Sequence, residues 1–272
     1  MSGEPRELLM ARYGADLMEP RVWSQVIESQ LQHRSVRAYL PEALPAGTLE
    51  ILVAAAQSAP SSSNLQLWDV VAVTDQARKQ RLSMLADDQA HIRNAPLFLL
   101  WVVNFSRAEA VAKAAGRVVE GLEYLEMLVV GLVDVGLAAQ NAMVAAESLG
   151  LGGVYIGAMR DHVDQVAAEI ALPPGAFVAF GMCVGKPDPA RPTAVKPRLP
   201  QSVVLHHEQF RAQTDFDAIA AYDERLTAFQ KSQGMAEIGW SRMVTSRLRG
   251  AGYMKGREHL RALLAGLGFK LR

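Results

Sequence analysis

The sequence has very little cysteine and no excess charge of either sign. Cys183 is the one cysteine among 272 residues, so no disulfide can form within the chain, and a reducing compartment, the cytoplasm, is predicted. Lys plus Arg and Asp plus Glu both number 28. This balance argues against a general nucleic-acid binder and against a polybasic membrane anchor. It is compatible with self-association, because a neutral chain repels its own copies weakly.

Long hydrophobic runs and the signatures of several enzyme classes are also missing. No window reaches about 18 uninterrupted apolar residues, so no transmembrane helix and no membrane partner are predicted. The charged residues between Glu4 and Asp16 argue against a secretory signal. The sequence contains no GxGxxG, P-loop, GxSxG, HExxH or CxxC, so neither a Rossmann-type dinucleotide fold nor a serine hydrolase is indicated. Neighbouring side chains in His206-His207-Glu208 diverge, and no metal site is predicted.

Apolar periodicity predicts strands intermixed with helices. The predicted strands are 68–74, 97–103, 154–156 and 177–185. The predicted helices are 49–58 with Thr48 as its cap, 77–85, 121–149, 161–170, 215–233 and 241–268. Residues 1–20 are predicted to form a polar, loosely helical extension, and 187–200, with five prolines, an extended loop. This mixture favours one α/β or α+β domain with helices on both faces of a sheet.

The predicted helix 121–149 is apolar over most of its circumference. Its polar residues fall within one stripe of about 140°. A helix of this kind must be buried on most sides, inside the domain or against another subunit. Gly131 and Gly136 would allow another helix to approach closely.

Two basic segments are candidates for binding an anion. In extended chain, His33, Ser35 and Arg37 point the same way, because side chains alternate, and they offer an imidazole, a hydroxyl and a guanidinium to a phosphate. Taken alone, this segment is equally typical of a solvated basic turn. A second segment of the same character, Lys196-Pro197-Arg198, favours the anion site.

The remaining polar features contain no obvious nucleophile or general base. They are the serine loop 61–63, Gln89 with His91, and the glycine-rich turn 150–157. This pattern is expected where a bound cofactor supplies the chemistry and the protein supplies donors. Flavin mononucleotide (FMN) would use it well, since its phosphate needs cations and hydroxyls, and its ring needs N–H donors where reduction builds negative charge.

Four motifs in order resemble the FMN-dependent nitroreductase family, and most closely its oxygen-insensitive NADPH nitroreductase and flavin reductase group. They are HRSVR at 33–37, APSSSN at 59–64, AAESLGLGGVYIG at 145–157 and KPRLP at 196–200. The resemblance implies an α+β fold with a central mixed sheet flanked by helices on both faces, a C-terminal excursion and a chain-exchanged homodimer. It also implies an N-terminal extension at 1–20, an FMN-binding core at 21–200 and the excursion at 201–272.

The resemblance further implies a cytoplasmic FMN-dependent NAD(P)H oxidoreductase that reduces nitroaromatics, quinones or flavins by ping-pong hydride transfer through flavin N5. NADPH, NADH or both would be the reductant, and a small molecule the acceptor. Two alternatives stay open. One is a specialised enzyme of the same fold, such as a dehalogenase or a flavin-fragmenting enzyme, and the other is a protein that stores or delivers FMN without turnover.

The family's cofactor-binding residues carry over by motif. His33, Ser35, Lys196 and Arg198 would hold the phosphate. Arg37 would stabilise the reduced flavin and Gln89 would bond its pyrimidine end. The remaining positions are the serine loop, Ser61, Ser62 and Ser63, the ring-lining turn, Tyr155, Ile156, Gly157 and Ala158, the flanking Arg34, and Glu126 at the mouth of the substrate pocket.

Several of these residues have plainer interpretations. Arg34 suits a surface ion pair, Ser62 an ordinary loop, and Tyr155 an aromatic core position. Ala158 replaces the family's second glycine. The loop 234–239 lacks the arginines expected for the 2′-phosphate of NADPH, which predicts a weakened NADPH preference and measurable activity with NADH.

Overall fold

A computed structural model describes residues 5–14 and 22–272. The chain divides into two compact units. The first comprises the described residues up to Arg34 together with 192–253, and the second comprises 35–191 and 254–272. The sequence analysis instead divided the chain by FMN binding, into 1–20, 21–200 and 201–272. Compact structural units do not test that division, which stays a prediction.

The elements of the described chain follow in sequence order. The helices are α1 Pro5–Tyr13, α2 Gln25–Gln32, α3 Thr48–Gln57, α4 Gln76–Leu85, α5 Ala90–Asn94, α6 Ser106–Ala114, α7 Leu125–Ser148, α8 Val163–Glu169, α9 Gln201–Val204, α10 Phe216–Ser232, α11 Trp240–Arg247 and α12 Leu260–Gly266. The strands are β1 Trp68–Val73, β2 Leu97–Asn104, β3 Gly152–Ile156 and β4 Ala176–Gly185.

The four strands form one sheet in the second unit, in the order β1-β2-β4-β3. All three strand pairings are antiparallel. An isolated parallel bridge joins Ser35 to Gly153 at the free side of β3, so the sheet is mixed only through this bridge. The predicted α+β class is confirmed, and all four predicted strands lie within one or two residues of the observed ones.

Helices cover both faces of this sheet, as predicted. Alternate residues of β2 point into different cores: Leu99 and Trp101 enter one, and Phe98 and Leu100 the other. The first core contains residues of α3, α7 and α12, and the second contains residues of α4, α5 and α8. Because β2 is central and covered on both faces, it is a continuous apolar run rather than an alternating one.

The long helix α7 begins at Leu125, four residues later than predicted, after a 3₁₀ turn at 120–123. Gly131 lies against β2, where a Cβ would come within 2.7 Å of Val103 Cγ1. Gly131 therefore admits a strand rather than another helix. A Cβ at Gly136 would meet nothing within 4 Å in this chain, so the close approach of a helix from a second subunit at that position stays a prediction. By length and composition α7 could cross a membrane, but 50% of its apolar window is buried inside the protein, as in a core helix.

One side of α7 is apolar and open. Its exposed apolar side chains keep 39–53% of their surface accessible, and they are Leu125, Val129, Leu132, Val133 and Leu137. The polar stripe predicted for this helix does not lie wholly on that side. Asp134 is 1% exposed, and half-buried Asn141 donates a hydrogen bond to the carbonyl oxygen of Ala55.

The region 241–268 was predicted to be helical throughout, but the structure contains two separate helices there. Helix α11 ends at Arg247, glycine-rich turns follow, and α12 starts only at Leu260. Leu264 of α12 and Phe269 are buried in the second unit. The end of the chain is fixed there by main-chain hydrogen bonds, such as Arg272 N to Glu123 O at 2.9 Å. The C-terminus therefore completes the main core.

Candidate functional site

The basic segment 33–37 is extended, which is one of the two alternatives that the sequence left open. Val36 N donates to Gly153 O at 3.0 Å. The Val36 side chain is buried against Gly152, whose hydrogen cannot be replaced by a Cβ without a 2.6 Å clash. Ser35 and Arg37 flank Val36 in the sequence and lie on the opposite side of the chain, where Arg37 is exposed. This extended geometry excludes the simple basic turn.

In the first unit, the main chains of the two basic segments are brought together by Arg12. Its guanidinium donates to His33 O at 2.7 Å and to Lys196 O at 2.9 Å. The Arg198 main-chain N–H donates in turn to Arg12 O at 2.8 Å. Arg12 thus links the main chain of His33 to that of the Lys196–Arg198 segment, and the predicted role of their side chains in holding a phosphate stays a prediction. Arg34 is exposed, and its Nη1 lies 3.5 Å from the carbonyl oxygen of Thr193. Among the described residues, Arg34 therefore has a long contact with a carbonyl rather than the expected surface ion pair.

The Lys196–Arg198 segment has a further anchor on α10. Tyr222 donates its hydroxyl to Pro197 O at 3.1 Å. Burial raises the pKa of Tyr222, an effect opposed by the nearby charges of Arg198 and Arg225. The phenol therefore stays protonated and keeps its donor. The Arg198 side chain is exposed, so its guanidinium is accessible to a ligand.

The serine loop belongs to the second unit and is fixed by Asp134. Ser61 Oγ donates to Asp134 Oδ2 at 2.6 Å, and the main-chain N–H groups of Ser62 and Leu67 donate to the same carboxylate at 3.1 and 3.3 Å. Ser61 Oγ also accepts from Gln66 N at 2.8 Å. One buried side chain thus holds both ends of the loop.

The loop that Asp134 holds has an unusual backbone. Ser63, Asn64 and Gln66 have φ values of 49°, 54° and 50°. Only glycine adopts this left-handed region at no cost, and asparagine tolerates it. The hydrogen bonds to Asp134 offset this strain, and they leave Ser62 and Ser63 exposed. Two of the three predicted serines are therefore free to meet a ligand, and Ser61 is used within the protein.

The ring-lining turn follows the outer edge of the sheet. Gly153 O accepts a hydrogen bond from Val36 N, so the main-chain N–H and C=O groups of Gly153 point away from β4. Because these groups alternate along a strand, those of Tyr155, two residues later, point the same way. Among the described residues, no main-chain hydrogen bond satisfies Tyr155 on that side. Ile156 is 2% exposed, so it can contact a ligand only through its main chain. Gly157 and Ala158 begin a 3₁₀ turn.

The Tyr155 side chain does not lie in the core. It is 36% exposed, packs edge-on against Phe180 at 5.4 Å between ring centroids, and places its hydroxyl 3.3 Å from Gln140 Oε1 on α7. The interpretation of Tyr155 as a core aromatic is therefore wrong. The ring remains available to a planar ligand at the sheet edge.

His91 is a half-buried imidazole whose ionisation is influenced by the charge of Arg37. Burial first, and then the Arg37 charge, lower the pKa of His91, so the ring is neutral near pH 7. Its Nε2 is buried and has no hydrogen-bond partner among the described residues. Gln89 lies two residues before His91, at the start of α5, and is half-buried. Its side chain makes no capping hydrogen bond to that helix.

Glu126 lies on the exposed side of α7.

Two important residues were missed by sequence reasoning. Arg12 lies in a segment predicted to be a polar extension, and its spacing gives no signal of burial. Asp134 did give a signal, because it is the one acidic residue in the middle of an apolar helix. A carboxylate there must find donors, and the serine loop supplies them.

The arrangement offers cations, hydroxyls and open main-chain donors, without a paired nucleophile and base. Within residues 5–14 and 22–272, no three His, Cys, Asp or Glu side chains are grouped to hold a metal ion. A cavity of about 860 Å³ lies in the first unit between α9 and the start of α10, and none of the predicted site residues lines it. Cations and hydroxyl groups of this kind are chemically suited to an anionic ligand.

Comparison with known proteins decides the family. The sequence model of the Nitroreductase family matches residues 31–186, and that of its C-terminal domain matches 196–272. The chain belongs to the nitroreductase family. The resemblance found from four motifs is thereby confirmed, and α1 lies outside both matched regions of this family member.

Relatives match nearly their whole length. The chain is 38% identical over 252 residues to a Bacillus subtilis FMN reductase [NAD(P)H], covering 91% of this chain and 99% of the relative. It is 34% identical over 251 residues to the NADPH-flavin oxidoreductase of Vibrio harveyi, covering 92% and 100%. The solved structure of Bacillus megaterium NfrA2 superposes with a TM-score of 0.86 at 35% identity, covering 92% and 100%. The nitroreductase fold is thus established.

Proposed function

We propose that this protein is an FMN-dependent NAD(P)H oxidoreductase that reduces nitroaromatics, quinones or flavins. The main support for this proposal is that the chain matches a flavin oxidoreductase and an FMN reductase over nearly their full lengths. The residues fit the cofactor, since the chain offers accessible cations and hydroxyls for a phosphate and open main-chain donors for a ring. When bound, FMN would supply the redox chemistry between the nicotinamide and the electron acceptor, and the residues of this chain would hold and orient it.

The chain's own residues bind and orient the cofactor. His33, Lys196 and Arg198 bind the phosphate, with Ser35 as a hydroxyl donor and Arg34 as a flanking cation. Ser62 and Ser63 present hydroxyls to the ribityl chain or the flavin, and Ser61 shapes their loop. Main-chain groups of Tyr155, Ile156, Gly157 and Ala158 line the ring.

The pyrimidine end of the flavin is proposed to meet Arg37 and Gln89. Arg37 is exposed and carries a guanidinium cation, so it would stabilise the negative charge that reduction builds at this end. Gln89 supplies an amide donor. Glu126, exposed on α7, lies at the mouth of the substrate pocket.

Both NADPH and NADH are proposed as reductants. Gln230 Oε1 accepts from Ile238 N and Gly239 N, which fixes the end of the loop 234–239 without placing an arginine in it. Arg249 donates to the hydroxyl of Tyr253 at 2.8 Å and packs on its ring. Arg242 is exposed, and the hydrogen bond that it makes to a described residue involves its main-chain carbonyl, which accepts from Thr245 Oγ1. Arg242 is the proposed contact for a 2′-phosphate.

The active form is proposed to be a cytoplasmic homodimer. The open apolar side of α7 calls for a partner, since contiguous exposed apolar surface of this kind marks protein interfaces. Phe210 and Phe216 of the C-terminal segment are 79% and 75% exposed and suit exchange with a second copy. The lone Cys183 is buried and free, as expected in a reducing compartment.

The test is the absorbance spectrum of the purified protein, followed by turnover. We expect the spectrum of bound oxidised flavin, uptake of one FMN per chain on titration, and oxidation of NADPH and NADH with a quinone as acceptor. A colourless protein that takes up no FMN contradicts the proposal. A protein that binds FMN but oxidises neither nucleotide is instead a storage or delivery protein.

A further inference from the structure

Helix α1 carries one buried charge. Arg12 is 5% exposed, while Arg6 and Glu7 on the same helix are exposed. The family matches begin only at residue 31, so this helix is an addition to the matched family regions. Burying a guanidinium is costly unless its N–H groups find acceptors, so the contacts of Arg12 indicate what α1 does.

The Arg12 guanidinium donates to three main-chain carbonyls from its three nitrogens. Nε donates to Leu31 O at 3.0 Å, Nη1 to Lys196 O at 2.9 Å, and Nη2 to His33 O at 2.7 Å. The acceptors lie 19, 184 and 21 residues away in sequence. A planar fork can reach three separated acceptors in this way, whereas a lysine ammonium is a single point of donation.

The same helix also fixes the segment that follows Lys196. Arg198 N donates to Arg12 O at 2.8 Å, and Tyr222 of α10 holds the carbonyl between them, that of Pro197, at 3.1 Å. Three consecutive residues, 196 to 198, thus each have a main-chain polar group held in place. Two of these three contacts belong to Arg12, which holds His33 as well.

We propose that Arg12 is a positioning residue for the phosphate of FMN. The inference rests on the proposed function, in which His33, Lys196 and Arg198 bind that phosphate. The Arg12 guanidinium binds the carbonyl oxygens of both His33 and Lys196. It thereby fixes the distance between the two chain segments whose basic side chains are proposed to bind the phosphate. A preorganised set of cations loses less free energy to ordering when the anion binds. Helix α1 therefore tightens FMN retention through the phosphate alone.

Riboflavin, which is FMN without the phosphate, separates this role from a general one. The experiment measures the Kd of FMN and of riboflavin for apo-protein of the wild type, Arg12→Ala, Arg12→Lys and Arg6→Ala. Arg6→Ala is the matched control, because it removes the same charge from an exposed position of the same helix. We expect Arg12→Ala to weaken FMN about tenfold or more, the effect of losing charge-assisted hydrogen bonds, with riboflavin and the Arg6→Ala variant within about twofold of wild type.

The other outcomes contradict the proposal in distinct ways. Equal weakening of both flavins by Arg12→Ala means that the residue supports the fold and not the phosphate. Unchanged FMN binding means that Arg12 positions nothing the cofactor needs. Full recovery in Arg12→Lys means that its charge acts at a distance and the fork is not required. Wild-type protein that binds no FMN instead defeats the proposed function itself, and the inference falls with it.

A second variant keeps the test decisive where Arg12→Ala does not fold. Tyr222→Phe removes only the hydroxyl that holds Pro197 O and keeps the ring. We expect it to weaken FMN several-fold and leave riboflavin unchanged. If Tyr222→Phe folds and discriminates between the two flavins as the wild type does, the anchoring of residues 196–198 is irrelevant to the phosphate and the proposal is wrong.

Discussion

Ser61 and Asp134 are 73 residues apart in sequence and are joined by a 2.6 Å hydrogen bond from the serine hydroxyl to the carboxylate. The bond ties the serine loop to α7, the longest helix described, whose other side is exposed and apolar. It therefore links the loop to the helix that we propose forms the dimer interface. Neither residue alone explains the loop conformation.

Asp134→Ala is expected to lower the free energy of unfolding by about 1–3 kcal/mol, because it leaves buried N–H and O–H donors without an acceptor. Asp134→Asn, which keeps one acceptor oxygen, should lose less. Urea unfolding of the apo-protein measures both. Glu126→Gln, on the exposed side of α7, is the control and should stay within about 0.5 kcal/mol of wild type. An Asp134→Ala protein as stable as the control contradicts this account of the loop.

Arg198→Ala and Arg37→Ala are expected to affect different properties of the flavin. Removing Arg198 should weaken FMN binding by about 1.5–3 kcal/mol, the range for a hydrogen bond to a charged group. Removing Arg37 should lower the reduction potential, because a cation near the developing negative charge is lost. Titration and potentiometry of both variants test this. Equal losses of affinity with an unaltered potential would refute the division of roles.

The oligomeric state tests the open side of α7. The wild type should sediment as a dimer of 29.6 kDa chains, and Val133→Asp should shift it toward monomer, since a buried unpaired carboxylate at an interface is strongly unfavourable. Val111→Asp on α6, where the valine is 65% exposed, is the matched control and should remain dimeric. A wild-type monomer that is active with FMN bound counts against both the dimer and the role of this surface.

Reductant preference is expected to be modest. The ratio of kcat/KM for NADPH to that for NADH, measured with one quinone, should stay below about a thousand, because each missing charge-assisted contact costs roughly ten- to a hundredfold. Arg242→Ala should reduce the NADPH value and leave the NADH value unchanged, and Arg249→Ala serves as its control. A larger ratio in the wild type shows that other arginines replace those absent from the loop 234–239.

The acid side of the stability profile should depend on His91. Its pKa is lowered in the folded protein, so between that lowered pKa and the ordinary value near 6.5 the unfolded chain binds a proton that the folded protein does not. Stability therefore falls as pH drops through this window and is unaffected by His91 above it. Unfolding of His91→Gln apo-protein from pH 7 to 5 should show a smaller loss than wild type. Identical profiles would mean that other groups cause the loss.

Arg37 provides a second check on the same group. The positive charge of Arg37 is one of the two causes of the lowered His91 pKa. Arg37→Ala should therefore bring the His91 pKa closer to 6.5 and narrow the pH range over which His91 lowers the stability. The imidazole resonances of apo-protein, followed by NMR against pH, measure this directly. A His91 pKa that does not rise in Arg37→Ala shows that burial alone lowers it.

Much of the fold was determined locally by the sequence. The run Leu97–Asn104 is almost wholly apolar, and this pattern is sufficient to predict a strand covered on both faces. The sequence left residues 33–37 open between an extended chain and a basic turn, and the hydrogen bond from Val36 N to Gly153 O decided for the extended chain. The four motifs sufficed for the family, which the matches over residues 31–186 and 196–272 confirm.

Only the tertiary structure decided which charged side chains are buried. Arg12 has an ordinary local sequence, and Asp134 is marked only as an acidic residue within an apolar helix. Their partners lie up to 184 and 73 residues away. A periodic pattern reports which side of an element is apolar. It carries no information on which distant carbonyl or N–H group will meet a polar side chain there, because that depends on how the packed elements bring remote segments together. The sequence by itself therefore determined the strands, most of the helices and the family, and packing alone placed Arg12 on two basic segments and Asp134 beneath the serine loop.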